Sequence, residues 1–133
     1  MKNILLLFTA QQRSDTIGAL GNSVIQTPAL DSLAADSAVF TRCYTPSPVC
    51  VPARLCMMKG VYPNRSGCND NADGFRYTGK TLYERFSEQG YTTMGIGKMH
   101  FPCDPYGLHG FSQRKTQEEL AAPQDDYYQY LVQ

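Results

Sequence analysis

The run Ile4-Leu5-Leu6-Leu7-Phe8 constrains the fold more than any other stretch of this chain. It is uninterrupted by polar residues and empties into Thr9, Gln11, Gln12 and Arg13. That pattern predicts a central strand buried on both faces and ending in a loop, the signature of a parallel sheet. It is far short of the roughly 20 apolar residues that span a bilayer, and below the ~7 of a secretory core. No membrane role is therefore expected, and the location expected is cytoplasmic.

Helix signals alternate with further strand-like runs. Thr27-Pro28 starts a helix with Thr27 as cap and Pro28 in the first turn, running to about Ser37. Val39 to Tyr44 alternates as a second strand. Thr45-Pro46-Ser47-Pro48 is an extended connector, because proline disfavours helix in the residue before it. Ala53 to Lys59 are helix formers ending at Gly60, a C-cap. Tyr62 to Gly67 is turn chemistry, and residues 68–79 read as an irregular loop. Thr81-x-x-Glu84 is a capping box for a helix that buries Leu82 and Phe86 and stops at Gly90. Tyr91 to Gly97 is a strand. Beyond Phe101 come a loop, a polar helical stretch near Thr116 to Ala122, and a helical segment from Asp125 to Leu131. Strands alternating with helices predict an α/β fold with a mostly parallel sheet.

With 133 residues the chain is large enough for one domain with a core, not comfortably for two. Its 12 basic and 12 acidic residues cancel, so no net field favours nucleic acid or an anionic membrane. The five cysteines form no C-x-x-C pair and only His100 and His109 are imidazoles, which argues against zinc. Gly95-x-Gly97-Lys98 lacks the full phosphate-loop pattern.

In a parallel sheet, chemistry gathers beyond the carboxyl ends of the strands. Three segments arrive there on this reading: Thr9 to Arg13, Cys50 to Arg54, and Lys98 to His100. Cys50 lies at or just before a helix amino terminus, where N–H groups and the helix dipole favour an anion. Arg54, one turn on, adds a permanent cation with bidentate reach. Lys98 and His100 add a cation and a proton donor. The set suits transfer of a tetrahedral oxyanion group. Singly, each of these residues is more often structural; their convergence is what points to a site.

Cys50-Val51-Pro52-Ala53-Arg54 resembles the C-x-P-[SA]-R signature of the sulfatase family. Four other blocks match in order: Asn3 to Arg13, Thr27 to Ala34, Gly60 to Gly67, and Gly97-Lys98-Met99-His100. The resemblance covers residues 3 to about 111 and implies an alkaline-phosphatase-like α/β fold, of which residues 1–133 are the amino-terminal part of the catalytic domain. It implies a sulfuric ester hydrolase in which Cys50 is oxidised to formylglycine by a maturation enzyme that reads this signature. The aldehyde hydrates; one hydroxyl attacks sulfur and expels the alcohol, and the other drives collapse to aldehyde and sulfate. By position, Arg54 holds the hydrated aldehyde, and Lys98 and His100 contact the sulfate or the leaving oxygen. Gln11 lines the metal, formylglycine 50 contacts it, and Asn71 reaches the substrate from its loop. The cofactor implied is Ca2+ or Mg2+, and the partner a small-molecule sulfate ester.

Two departures stand against the pattern. Ala10 occupies the position of a family aspartate that ligates the metal, and a methyl group cannot coordinate a hard cation. Family members are also several times longer, with further ligands in a later Asp-His/Asn-Gly segment. The expectation is a truncated piece whose carboxyl-terminal remainder is missing or is a separate partner chain, inactive alone. The alternatives are a phosphonate or phosphate ester hydrolase of the same family, a non-catalytic degenerate fragment, or a plain thiol nucleophile at Cys50.

Overall fold

The computed structural model describes residues 2–74, 78–118 and 122–133. The chain divides into two compact units, Met1–Cys43 and Tyr44–Gln133.

In the first unit, α1 (Pro28–Ala35) starts with Pro28 in its first turn, as expected. Thr27 does not cap it with its side chain; its hydroxyl donates to Asp31 Oδ1 at 2.8 Å and accepts the Gly18 N–H at 2.8 Å. Two 3₁₀ turns, Ser14–Thr16 and Gly18–Leu20, precede it. The strand expected at Ile4–Phe8 does not form, and Leu5 and Leu7 are 82% and 77% exposed. A doubly buried strand needs a ladder partner and covering layers, and short helical turns provide neither. The strand expected at Val39–Tyr44 is absent for the same reason: no described segment pairs with it.

The second unit is built around α2 (Cys50–Lys59), which begins three residues earlier than the sequence suggested and ends at Gly60 with φ 66°. Val51, Leu55 and Met58, spaced i, i+4, i+7, point one face into the core. Cys68, Tyr83, Phe101 and Phe111 complete that core, with Met99 packed on it. The turn chemistry at 62–67 becomes a single helical turn, α3 (Pro63–Ser66), closed by Gly67 at φ 78°. Described residues of the 68–79 segment form no regular element, as expected; residues 75–77 lie outside the described residues.

α4 (Leu82–Glu88) carries the predicted capping box in full: Glu84 N–H to Thr81 Oγ1 at 3.1 Å and Thr81 N–H to Glu84 Oε2 at 2.6 Å. It buries Tyr83, however, while Leu82 is 38% exposed. Tyr83 stacks on Phe111 with ring centroids 3.6 Å apart, and that flat pad, one residue along from Leu82, sets which face of the short helix turns inward.

β1 (Met94–Gly97) and β2 (Gln113–Thr116) form a two-stranded parallel sheet, with Met94 opposite Gln113 and Gly97 opposite Thr116. β2 is not among the expected strands, since the stretch beyond Phe101 reads as loop. The polar helix expected near Thr116 to Ala122 does not form over its described part, where Thr116 ends β2 and residues 117, 118 and 122 belong to no regular element. Its residues 119–121 lie outside the described residues. α5 (Asp126–Leu131) follows, capped by Asp125 Oδ1, which accepts from Tyr127 and Tyr128 N–H.

Candidate active site

The amino end of α2 lacks a cap of its own. Its N-cap residue is Val49, which has no side-chain oxygen. Two remote acceptors substitute. Ser47 Oγ takes the Val49 N–H at 3.1 Å, and Asn71 Oδ1 takes the Val51 N–H at 2.9 Å. Asn71 thus reaches the first turn of α2 from its loop, twenty residues on in the chain. Cys50 is the first residue of the helix, half-buried and with a free thiol. Arg54 follows one turn later on the same face and is 7% exposed. Its Nη1 donates to the Lys98 carbonyl at 2.8 Å, tying the helix start to the end of β1.

Past β1 the backbone leaves the pleat. Gly97 has φ 90° and His100 has φ 49°, unusual for a residue with a Cβ. Strand pairing cannot satisfy the amides of such a turn. Glu118 does: its Oε1 accepts the Met99 N–H at 3.0 Å and its Oε2 accepts the His100 N–H at 2.9 Å. Arg114 Nη2 pairs with Glu118 Oε1 at 3.0 Å, the two side chains being only 2% and 5% exposed. The Arg114 guanidinium also donates to the Pro105 and Gly107 carbonyls and lies 5.2 Å from the Phe101 ring centroid. Glu118 and Arg114 escaped the sequence reading. Arg114 lies in a segment that reads as loop and Glu118 inside the expected polar helix, so nothing in the local sequence singles them out.

Burial raises the Tyr83 phenol above its ordinary value, with the charges of Arg114 and Arg54 pulling the other way. Burial likewise raises the thiols of Cys56 and Cys68, which stay protonated and poorly nucleophilic.

The second unit therefore links Cys50, Arg54, Asn71 and Lys98 through two hydrogen bonds, with His100 two residues further on. Ala10 and Gln11 belong to the first unit and are exposed, Gln11 at φ 59°. The donor set does not fit a divalent cation. Among the described residues no three His, Cys, Asp or Glu side chains gather to hold one, and Ala10 offers only a methyl group.

A protein-family model described as Sulfatase matches residues 2–131. The chain belongs to the sulfatase family. This sulfatase-family chain is 31% identical over 126 residues to an N-acetylglucosamine-6-O-sulfatase of Bacteroides thetaiotaomicron, covering 95% of the chain and 22% of that protein. It is 37% identical over 114 residues to a choline-sulfatase of Rhizobium meliloti, covering 86% of the chain and 22% of the relative. Among solved structures, a phosphonate monoester hydrolase of Agrobacterium radiobacter superposes with TM-score 0.70 at 26% identity, over 82% of the chain and 24% of that protein. A protein solved with its substrate D-glucosamine-2-N,6-O-disulfate gives TM-score 0.68 at 30% identity, over 76% of the chain and 20% of its own length. The fold is alkaline-phosphatase-like and the family is one of hydrolases. The chain spans about a fifth to a quarter of the length of these relatives.

Proposed function

We propose that this segment carries the nucleophile of a sulfuric ester hydrolase, with Cys50 converted to formylglycine. The activity is assigned to a protein of the relatives' length that contains the segment, not to residues 1–133 alone. The observation that carries the reading is the junction of α2 with β1: a half-buried residue 50 at a helix start, and Arg54 one turn on bonded to the Lys98 carbonyl. The site fits the modification, because the Cys50 thiol is free of any disulfide and partly open to solvent. Formylglycine, as its hydrate, supplies an oxygen nucleophile and a release route by carbon–oxygen cleavage.

The other roles belong to the chain's own residues. The first turn of α2 and the Arg54 guanidinium form an anion-favouring end that orients the hydrated side chain at position 50. Lys98 neutralises charge on the ester's non-bridging oxygens. His100 protonates the leaving alcohol oxygen. Asn71, bonded to the Val51 N–H, borders the substrate. A maturation enzyme that reads residues 50–54 meets them in the unfolded chain, since Val51 and Arg54 are 1% and 7% exposed once α2 has formed. No step is assigned to a divalent cation, whose ligands the described residues do not assemble.

The name of one relative and the bound substrate of another favour sulfated sugars as substrates. The likeness to a phosphonate monoester hydrolase favours a second reading, hydrolysis of phosphonate esters at the same centre. The test expresses the full-length protein beside a maturation enzyme, maps the mass of the residue-50 peptide, and compares an aryl sulfate with an aryl phosphonate. An aldehyde mass, labelling by a hydrazide, faster sulfate turnover, and loss of turnover in Cys50→Ala are expected. Faster phosphonate turnover replaces the first reading by the second. An unmodified thiol with turnover intact in Cys50→Ala overturns both.

A further inference from the structure

The parallel register of β1 and β2 pairs residue 94 with 113 and residue 97 with 116. Continued two residues past the ladder, that register sets Met99 beside Glu118. Here a carboxylate takes the place of the strand carbonyls: it accepts both the Met99 and the His100 N–H. We propose that Glu118, braced by Arg114, is a positioning residue for the proposed catalytic pair Lys98 and His100, fixing the backbone from which both side chains project. The inference rests on the functional reading above.

Three features separate this pair from an ordinary ion pair. Both side chains are nearly buried, so the pair is little screened and its geometry is held by packing. Each partner also binds backbone beyond its mate. Glu118 takes two consecutive amides, while Arg114 takes the Pro105 and Gly107 carbonyls and covers the Phe101 ring. Glu118 is itself anchored, its own N–H donating to buried Asp125 Oδ2 at 2.5 Å. On the opposite side of the same segment, Arg54 holds the Lys98 carbonyl. Residues 98–100 are thus fixed through backbone groups by two charged side chains, Glu118 and Arg54, with Arg114 bracing the first, in a turn whose φ of 49° at His100 is unusual for a residue with a Cβ.

The test uses the full-length protein matured at position 50, with Glu118→Gln and Arg114→Lys. Glu118→Gln keeps the size of the side chain but leaves one acceptor oxygen for two amides and no charge for Arg114. Amide exchange at Met99 and His100 is expected to quicken on the order of tenfold, with α2 unchanged. The kcat for the aryl ester is expected to fall on the order of tenfold to a hundredfold with KM nearly constant, because a small misplacement of reacting groups acts on the chemical step. Arg114→Lys, which retains charge, is expected to keep more than half the loss from occurring and serves if Glu118→Gln does not fold. Faster exchange at 99 and 100 with kcat within twofold of the parent overturns the proposal, leaving the pair a structural one. Unchanged exchange at both amides overturns it as well. A parent protein inactive on both ester classes defeats the functional reading instead, and the exchange arm still decides whether Glu118 fixes residues 98–100.

Discussion

Gly110→Ala tests how the hydrophobic pad beneath the site is held. Gly110 has φ 96°, a conformation that costs an L-residue about 1–2 kcal/mol. A methyl group there would lie 2.3 Å from Thr81 Oγ1, 2.6 Å from Glu84 Cγ and 3.2 Å from Glu84 N. Thr81 Oγ1 cannot yield cheaply, because it is the acceptor in the capping box of α4. Displacing it forfeits a cap of about 1 kcal/mol. The reduced freedom of the unfolded chain returns about 0.5 kcal/mol. The net expectation is about 2 kcal/mol of destabilisation, read as a lower urea midpoint at constant slope. A double-mutant cycle separates the two causes. In a Thr81→Ala background the contact with Oγ1 is gone and that with the flexible Glu84 side chain remains, so Gly110→Ala is expected to cost less, about 1 kcal/mol, a coupling of about 1 kcal/mol. Equal costs in both backgrounds, or a single-mutant cost below about 0.5 kcal/mol, would refute the reasoning. The consequence reaches the site through Tyr83, which leaves α4 to stack on Phe111 and to pack 6.4 Å from Phe101.

Alkylation of the native protein is expected to label exposed Cys43 and Cys103 rapidly and buried Cys56 and Cys68 only after unfolding; labelling of Cys68 at the rate of Cys103 contradicts the core assignment. Glu84 and Asp126 are held below their ordinary values, mainly by the backbone N–H groups of Thr81 and Thr116 respectively. Their stabilisation is present above the ordinary carboxylate range and is lost as pH falls through it, so acid titration of the melting temperature is expected to flatten in Glu84→Gln. Tyr83 is shifted the opposite way, raised by burial, so its contribution is intact at neutral pH and lost as pH climbs past about 10; Tyr83→Phe is expected to remove part of that alkaline decline. Calcium or magnesium is expected to leave the melting temperature of this chain unchanged and to raise it in a full-length protein carrying Ala10→Asp, as binding to the native state must; a clear rise with Ala10 in place contradicts the donor assignment.

Local chemistry was legible and pairing was not. The Thr81/Glu84 box, the Gly60 terminus, Pro28 in a first turn and the Asp125 helix start each depend on a few adjacent residues, and each was read or nearly read from them. Ile4–Phe8 has the composition of a buried strand, but composition supplies only half of a ladder. Gln113-Arg114-Lys115 reads as loop and Thr116 as the start of a polar helix, because the run carries no apolar alternation; its strand state is imposed by β1 alongside. The same divide runs through the site. Cys50, Arg54, Lys98 and His100 stood out through short motifs. Glu118 could not, since its role exists only once two strands are in register.

That register explains why charged groups, rather than more ladder, hold the end of β1. To project Lys98 and His100 beyond the sheet, the backbone must turn out of the pleat at Gly97, and from there each amide loses its strand acceptor. A buried amide left unmatched costs about 1–3 kcal/mol, and the unusual φ at His100 adds a cost of similar size. Neutral side chains return about 1 kcal/mol per hydrogen bond, too little to offset both. Charge-assisted bonds are roughly twice as strong, and one carboxylate can serve two successive N–H groups. A carboxylate buried alone would itself be costly, which is why Arg114 stands against it and why the Arg114 Nη1 reaches the Pro105 and Gly107 carbonyls rather than solvent. The ion pair is thus required by the turn, and the turn by the need to present two side chains on one fixed backbone.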